Sequence, residues 1–324
     1  MGRGAGALGA LALHLLLPGV LLTACRESPR LVYEHGGAER GAVLLDGERA
    51  AGLVFGGPRG LALWPLHATT GAEVTRAFPL GRRDGEPEDH PHHVSLWFAH
   101  GDVNGTDFWA GAGRIERVGV PRITGETVSV SHRWVAPDGT EVATDVRDLR
   151  FEQGRTGRGA RWRSVDAAVG LRAPHGPLRI GDTKEGTFAV RLRPEFCLVG
   201  DKAAGVLRNA AGDRGNDAWG RRARWVAWQA EVEGAILTLA MFDHPRNHGH
   251  PTPWHARGYG LCAANPFGVH DFEKLPPGTG ELVVPHGGVL AFRHCVWVVE
   301  GAVSDAELDA VWQDWQAQPS PGSG

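Results

Sequence analysis

Residues 88–102 read EDHPHHVSLWFAHGD, which places His90, His92, His93 and His100 beside Asp89 and Asp102. Imidazole next to carboxylate suits two chemistries. It can move a proton near neutral pH, and it can hold a transition metal. Asp before His-Pro also caps turns for purely structural reasons. The triplet Asp89-His90-Pro91 returns as Asp243-His244-Pro245, inside FDHPRNHGHPTPWHARGYGLCAANPFG at 242–268. His248, His250 and His255 follow it. Pro91 and Pro245 exclude helix interiors at these places. In an extended chain His90 and His92 point to one side, and so do His248 and His250. Those four are the candidate ligands for a divalent transition metal. Zinc, iron, copper and nickel all accept imidazole with carboxylate, so the residue types leave the metal open.

The same stretches suit metal-free work. His92 and His255 are the first choices for acid and base, with Asp102 and Asp243 to orient them and His93 and His100 in reserve. Trp97, Trp109, Trp254 and Tyr259 lie alongside. Flat aromatic faces next to hydrogen-bonding groups fit a sugar ring. Asn104, Asn247 and Arg257 could meet its hydroxyls. Burying so many polar groups without a purpose would be costly, which favours one pocket built from both stretches. A third stretch, IGDTKEGTFAVRLRP at 180–194, offers Lys184 and Glu185 as charge partners at the pocket mouth, and reads slightly better as a solvated hairpin. GDRGNDAWGRRARW at 212–225 is a similar polar loop bearing a Trp. Walker, Rossmann, nucleophile-elbow and zincin motifs are absent.

The elements that must carry these residues are mostly strands. TVSVSHRWV (127–135), TFAVRLRPEF (187–196), RARWVAWQAEV (222–232), AILTLAMF (235–242) and GVLAFRHCVWVVE (288–300) are rich in β-branched and aromatic residues. Asp46-Gly47 and Asp138-Gly139 are hairpin dipeptides. Recurrent strands without interleaved helices predict an all-β sandwich over 30–318 as a single domain. One helix is expected at 304–316, SDAELDAVWQDWQ. Ser304 and Glu307 form a capping box, and Leu308, Val311, Trp312 and Trp315 make an apolar stripe. Residues 319–324 are expected to fray.

The N-terminus carries a different signal. Arg3, an apolar run and then LLTAC form a lipoprotein signal over 1–24, with Cys25 as the lipidated residue and 25–29 as a linker. Arg26 after it favours export to the outer membrane. Membrane attachment is expected through Cys25 alone, since no later run is long enough to span. Cys197, Cys262 and Cys295 lack a C-x-x-C pairing and read as buried thiols. The formal net charge of −3 removes nucleic acid as a partner.

DHPHHVSLWFAHGDVNGTDFW, GDTKEGTFAVR, AWGRRARWV and DHPRNHGHPTPWHARGYGLCAANPFG together resemble a bacterial family of exported proteins labelled PmoA or "methane oxygenase", whose domain has no known function. The resemblance covers about residues 30–300. The membrane methane monooxygenase subunit of that name spans the bilayer many times, and this chain is not built that way. Val94 and Gly249 stand where the family usually has Arg or Gly and Arg, so no anion-binding role carries over there. No reaction comes with the resemblance. The expected architecture is a large supersandwich of the galactose-mutarotase-like kind, an analogy of fold that carries no function by itself. The leading expectation is acid–base chemistry on a carbohydrate (epimerisation, elimination or hydrolysis). The alternatives are a glycan-binding lipoprotein with Trp97, Trp109 and Trp254 as platforms, or a metal-dependent oxygenase.

Overall fold

A computed structural model describes residues 1–2, 25–27 and 29–322. The strands run as β1 (Cys25–Glu27), β2 (Leu31–His35), β3 (Arg40–Leu45), β4 (Glu48–Val54), β5 (Ala62–Leu66), β6 (Leu96–His100), β7 (Arg114–Thr124), β8 (Thr127–Val135), β9 (Glu141–Arg155) and β10 (Arg161–Arg172). They continue as β11 (Leu178–Ile180), β12 (Gly186–Arg191), β13 (Val206–Asn209), β14 (Trp225–Val232), β15 (Ala235–Asp243), β16 (Trp254–Arg257), β17 (Leu261–Ala264), β18 (Leu282–Val284) and β19 (Val289–Glu300). The α-helices are α1 (Val269–Glu273) and α2 (Asp305–Gln316).

Two large antiparallel sheets form a β-sandwich. The first has the order β13-β14-β15-β19-β10-β9-β8-β7, with β1 added along β9. The second has the order β16-β17-β12-β6-β5-β4-β3-β2. Alternation along each strand decides what lies between them. Leu237, Leu239 and Met241 of β15, with Val296 and Val298 of β19, enter the main core. Their neighbours Ala240, Phe242, Cys295 and Trp297 face outward and form a second apolar cluster. The helix covers that cluster, as its stripe requires. Ser304 and Glu307 close the expected capping box, and Leu308 and Trp315 are buried. Each of those burials contributes about 1.5–3 kcal/mol, more than the isolated helix could supply from propensity. At the β3–β4 hairpin, Asp46 and Gly47 have φ of 51° and 84°, the pair of positive values that a two-residue turn needs.

Two expectations change at the ends. Cys25–Glu27, read as linker, pair with Arg155–Gln153 as a strand. The tail does not fray at 319: the Pro319 carbonyl accepts from Arg150 at 3.1 Å, and Pro321 is buried. Cys197, Cys262 and Cys295 are free and buried, as expected of unpaired thiols. Residues 3–24 of the expected signal segment lie outside the described residues. No described helix is long and apolar enough to cross a membrane.

Candidate functional site

The site is the outer face of the second sheet at β6, β12, β17 and β16. Leu96 and Phe98 of β6 point into the sandwich, where Phe98 meets Phe292 of β19 at 5.9 Å between ring centroids. Trp97 therefore points out. Register carries that face across the sheet: Trp97 pairs with Ala189, Ala189 with Ala263, and Ala263 with His255. The neighbouring row holds Arg191, Leu261 and Arg257. Alanine at both central positions lets side chains from the loops come down onto the sheet.

The loop at 88–95 does this first. His93 stacks on Trp97 at 5.6 Å and on His90 at 4.9 Å, and His90 stacks on Tyr259 at 5.0 Å. His92 lies edge-on to His93 at 4.4 Å. The cluster is locked from below. Arg191 donates to Asp89 at 2.9 Å and to Nδ1 of His93 at 3.1 Å, and Arg76 also pairs with Asp89. A guanidinium only donates, so His93 Nδ1 is an acceptor and its proton sits on Nε2. Burial, then Arg191, pushes the His93 pKa far down. His92 is lowered to about 4, by burial first and then by Arg59. Burial would raise Asp89, but Arg191, His90 and Arg76 outweigh it and the carboxyl lies below its usual range.

The second wall is built by β16 and the loop at 181–185. His255 is 2% exposed. Its Nδ1 lies 2.9 Å from the Lys184 carbonyl. A carbonyl only accepts, so Nδ1 carries the proton and Nε2 presents a lone pair. That Nε2 is buried and has no partner among the described residues. Burial lowers the His255 pKa to about 4, so the ring is neutral at pH 7. The loop itself is pinned many times over. Asn265 donates to the Thr183 carbonyl at 2.8 Å, Asp271 accepts from the Lys184 amide at 3.1 Å, and Asp182 accepts from the His270 and Gly280 amides. The Gly101 amide donates to the Glu185 carbonyl at 2.6 Å. Glu185 is thereby fixed at the rim, where burial raises its pKa against the pull of Lys184. Tyr259 is raised too, by burial, and stays a neutral phenol.

Six polar atoms on this face are buried without a partner among the described residues: Trp97 Nε1, Trp109 Nε1, Arg191 Nε, Trp219 Nε1, Arg257 Nε and His255 Nε2. Five are donors and one an acceptor. Folded proteins leave few such atoms unsatisfied, and a cluster of them marks where water or a polar ligand belongs. Around them His90, His92, Lys184, Glu185, Trp219, Arg257 and Tyr259 keep partial solvent contact.

Several sequence expectations move. His90 and His92 do lie together, their rings 5.7 Å apart, but not by strand parity, because His90 has φ 43° in a loop and alternation holds only in extended chain. The stretch 242–259 is split between the sheets. Asp243 ends β15, where it accepts from His250 Nδ1 at 2.6 Å, Asn247 Nδ2 at 2.7 Å and the Thr252 amide at 3.0 Å. It orients His250, not His255, and Asn247 is spent on that network. Asp102 is held by Arg179 at 2.7 Å and caps the Gly105 amide, so it orients no histidine. Asn104 ties to the Arg179 amide at 2.7 Å, away from the cluster. His248 stacks on Phe267 and His250 on Trp312, apart from His90 and His92. The four candidate metal ligands thus occupy two places. Among the described residues no group of three or more His, Cys, Asp or Glu is arranged to hold a metal ion. His100 faces the opposite side of β6, donating from Nε2 to the Gly181 carbonyl at 2.8 Å. Trp254 is wholly buried and donates to the Ala223 carbonyl at 2.8 Å. Trp97 and Trp109 are also buried, against each other and His93, so none of the three offers a platform.

Sequence reasoning missed Arg76 and Arg191. Arg191 was legible in part, since it follows Thr187 and Ala189 on one face of TFAVR. Trp219, in the polar loop at 212–225, is the aromatic that reaches the site, 6.4 Å from the His255 ring.

The model of a family described as a family of unknown function (DUF6807) matches residues 42–313. No curated protein matches the chain. Among solved structures, a GalM/aldose epimerase homologue from C. elegans is 9% identical, with 85% of this chain and 100% of that one covered and a TM-score of 0.32. At that identity and score the likeness says nothing of activity.

Proposed function

The chain belongs to the family of unknown function (DUF6807), and from that premise we propose that it is an acid–base enzyme acting on a carbohydrate, with His255 as base and Glu185 as acid. The observation that carries this is Nε2 of His255: deprotonated by its tautomer, neutral by burial, unpartnered, and on a face that also holds five unpaired donors. A hydroxyl-rich ring supplies what these atoms lack, since each hydroxyl both donates and accepts. Glu185 complements the base. Its raised pKa keeps the carboxyl protonated to higher pH than usual, and two groups whose pKa values are displaced in opposite senses divide acid and base roles. Such proton transfer supports epimerisation or elimination. His92, neutral and solvent-reachable on the opposite wall, contacts the ring.

The acid–base reading is preferred to a metal-dependent oxygenase because it uses groups that the fold brings together. Under the oxygenase reading His90, His92, His248 and His250 would share one ion, and they stand in two places. We also propose that the protein is exported and lipid-anchored at Cys25, on the strength of LLTAC.

The test is a panel of neutral and acidic sugars incubated in D2O and followed by proton NMR. Solvent deuterium entering a ring carbon, or a new epimer or unsaturated product, is expected from the wild type. His255→Gln and Glu185→Gln should each lower that rate by about 100-fold or more. Turnover that survives both substitutions would overturn the assignment.

A further inference from the structure

The geometry points to a carboxylate subsite at Arg257 and Trp219, which makes the substrate a sugar acid; this rests on the sugar reading of the same face. Arg257 follows His255 by two residues on β16, on the same side of the sheet and about 7 Å along the strand. Its surroundings differ from those of five buried arginines in the fold. Arg76, Arg147, Arg191, Arg193 and Arg293 are each buried and each held by a carboxylate. Arg257 is half-buried, and no carboxylate among the described residues lies within ion-pair distance. Its guanidinium rests on the Trp219 ring at 5.2 Å. Its Nε is buried with no acceptor, and Trp219 Nε1 beside it is in the same state.

A second cation stands close by. Lys274 Nζ lies 5.6 Å from the same Trp219 ring, and its hydrogen bond goes to the Asp271 carbonyl rather than to a carboxylate. The nearby acids are engaged elsewhere. Asp271 accepts from the Lys184 amide, and Glu273 pairs with Arg222. The corner therefore gathers two cations that have no carboxylate partner among the described residues, with unpaired N–H groups, on the strand that carries the base and beside it. Guanidinium Nε and Nη form a planar fork that matches the two oxygens of a carboxylate. Trp219 Nε1 adds a third donor. A carboxylate seated there would have its neighbouring ring carbon carried toward His255. The proton that His255 Nε2 takes from that carbon leaves its electron pair in the carboxylate as an enolate, which Arg257 stabilises. Reprotonation by Glu185 on the other face gives the epimer. Alternatively the pair expels the substituent on the next carbon, which leaves with the proton of Glu185.

Titration calorimetry on the full chain tests the subsite with D-glucuronate and D-galacturonate against D-glucose, D-galactose and glucose 6-phosphate. The acids are expected to bind about tenfold or more tightly than the neutral sugars, the difference that charge-assisted hydrogen bonds supply. Arg257→Gln should erase the difference, weakening the acids about tenfold or more beyond whatever the neutral sugars lose. Arg257→Lys, which keeps the charge and loses the fork, should restore only part of it. Neutral sugars binding as well as the acids, or a preference that survives Arg257→Gln in a folded variant, overturns the subsite alone. Tighter binding of the phosphate than of either uronate also overturns it, because the site would then be selecting a dianion. If none of the five sugars binds, both this inference and the carbohydrate reading beneath it fail.

Discussion

Acidification should destabilise this protein progressively from about pH 6.5 downward, before most carboxylates titrate, and the reason lies in its buried imidazoles. His100 and His255 each have a pKa near 4 against an ordinary 6.5, with burial the largest cause in both. The sign follows from linkage. The unfolded chain binds a proton at each of these rings below pH 6.5, and the folded chain refuses it until about pH 4, so stability falls as pH drops through that window and is fully present above it. A displacement of about 2.5 units corresponds to about 3 kcal/mol per ring, so the two together withdraw about 6 kcal/mol by pH 4. His93, His132, His244 and His294 are displaced in the same direction and add to the loss. That rivals the whole stability of a typical domain, about 5–15 kcal/mol. Urea unfolding followed by Trp fluorescence at pH 7, 6, 5 and 4 measures it. The His255→Gln variant, which has no proton to take up, should lose about 3 kcal/mol less than wild type between pH 7 and pH 4. An identical pH dependence in wild type and variant would refute the reasoning, because it would mean that His255 is not held neutral by the fold.

Two other outcomes follow from the same structure. A Cβ at Gly186 would fall 2.3 Å from Nδ1 of His100, a ring held on its far side by the Gly181 carbonyl. Gly186→Ala should therefore cost about 1–3 kcal/mol in urea unfolding, and Gly186→Ala stability equal to wild type would show that His100 is free to move. Cys25→Ser should shift the protein from the membrane to the soluble fraction when both are expressed in a bacterium that lipidates proteins; a wild type without attached lipid by mass spectrometry would end the anchoring proposal.

Periodicity carried much of the fold. TVSVSHRWV is β8, AILTLAMF lies within β15, and SDAELDAVWQDWQ is the capped α2, because local alternation and capping chemistry act within a few residues. The histidine-rich turns were also visible as places where polar groups crowd together, and His255, Tyr259 and Glu185 do reach one face. The linear pattern was silent on which sheet each turn would join. Asp243 and His255 are twelve residues apart, yet one closes β15 of the first sheet and the other lies on β16 of the second, so a pocket drawn from the whole of 242–259 could not form. Burial was equally out of reach. Trp97, Trp109 and Trp254 have the composition of a sugar platform, and only packing against His93 and the core removes their faces from solvent. Residue types and spacing determined that this chain is a β-sandwich with polar side chains crowded at its His-Pro turns. Which imidazole keeps an unpaired lone pair was decided by a tertiary contact, the Lys184 carbonyl against His255 Nδ1. A tautomer depends on what lies across the fold, and residues 71 apart in the chain meet here only because β16, β17 and β12 pair side by side in the second sheet.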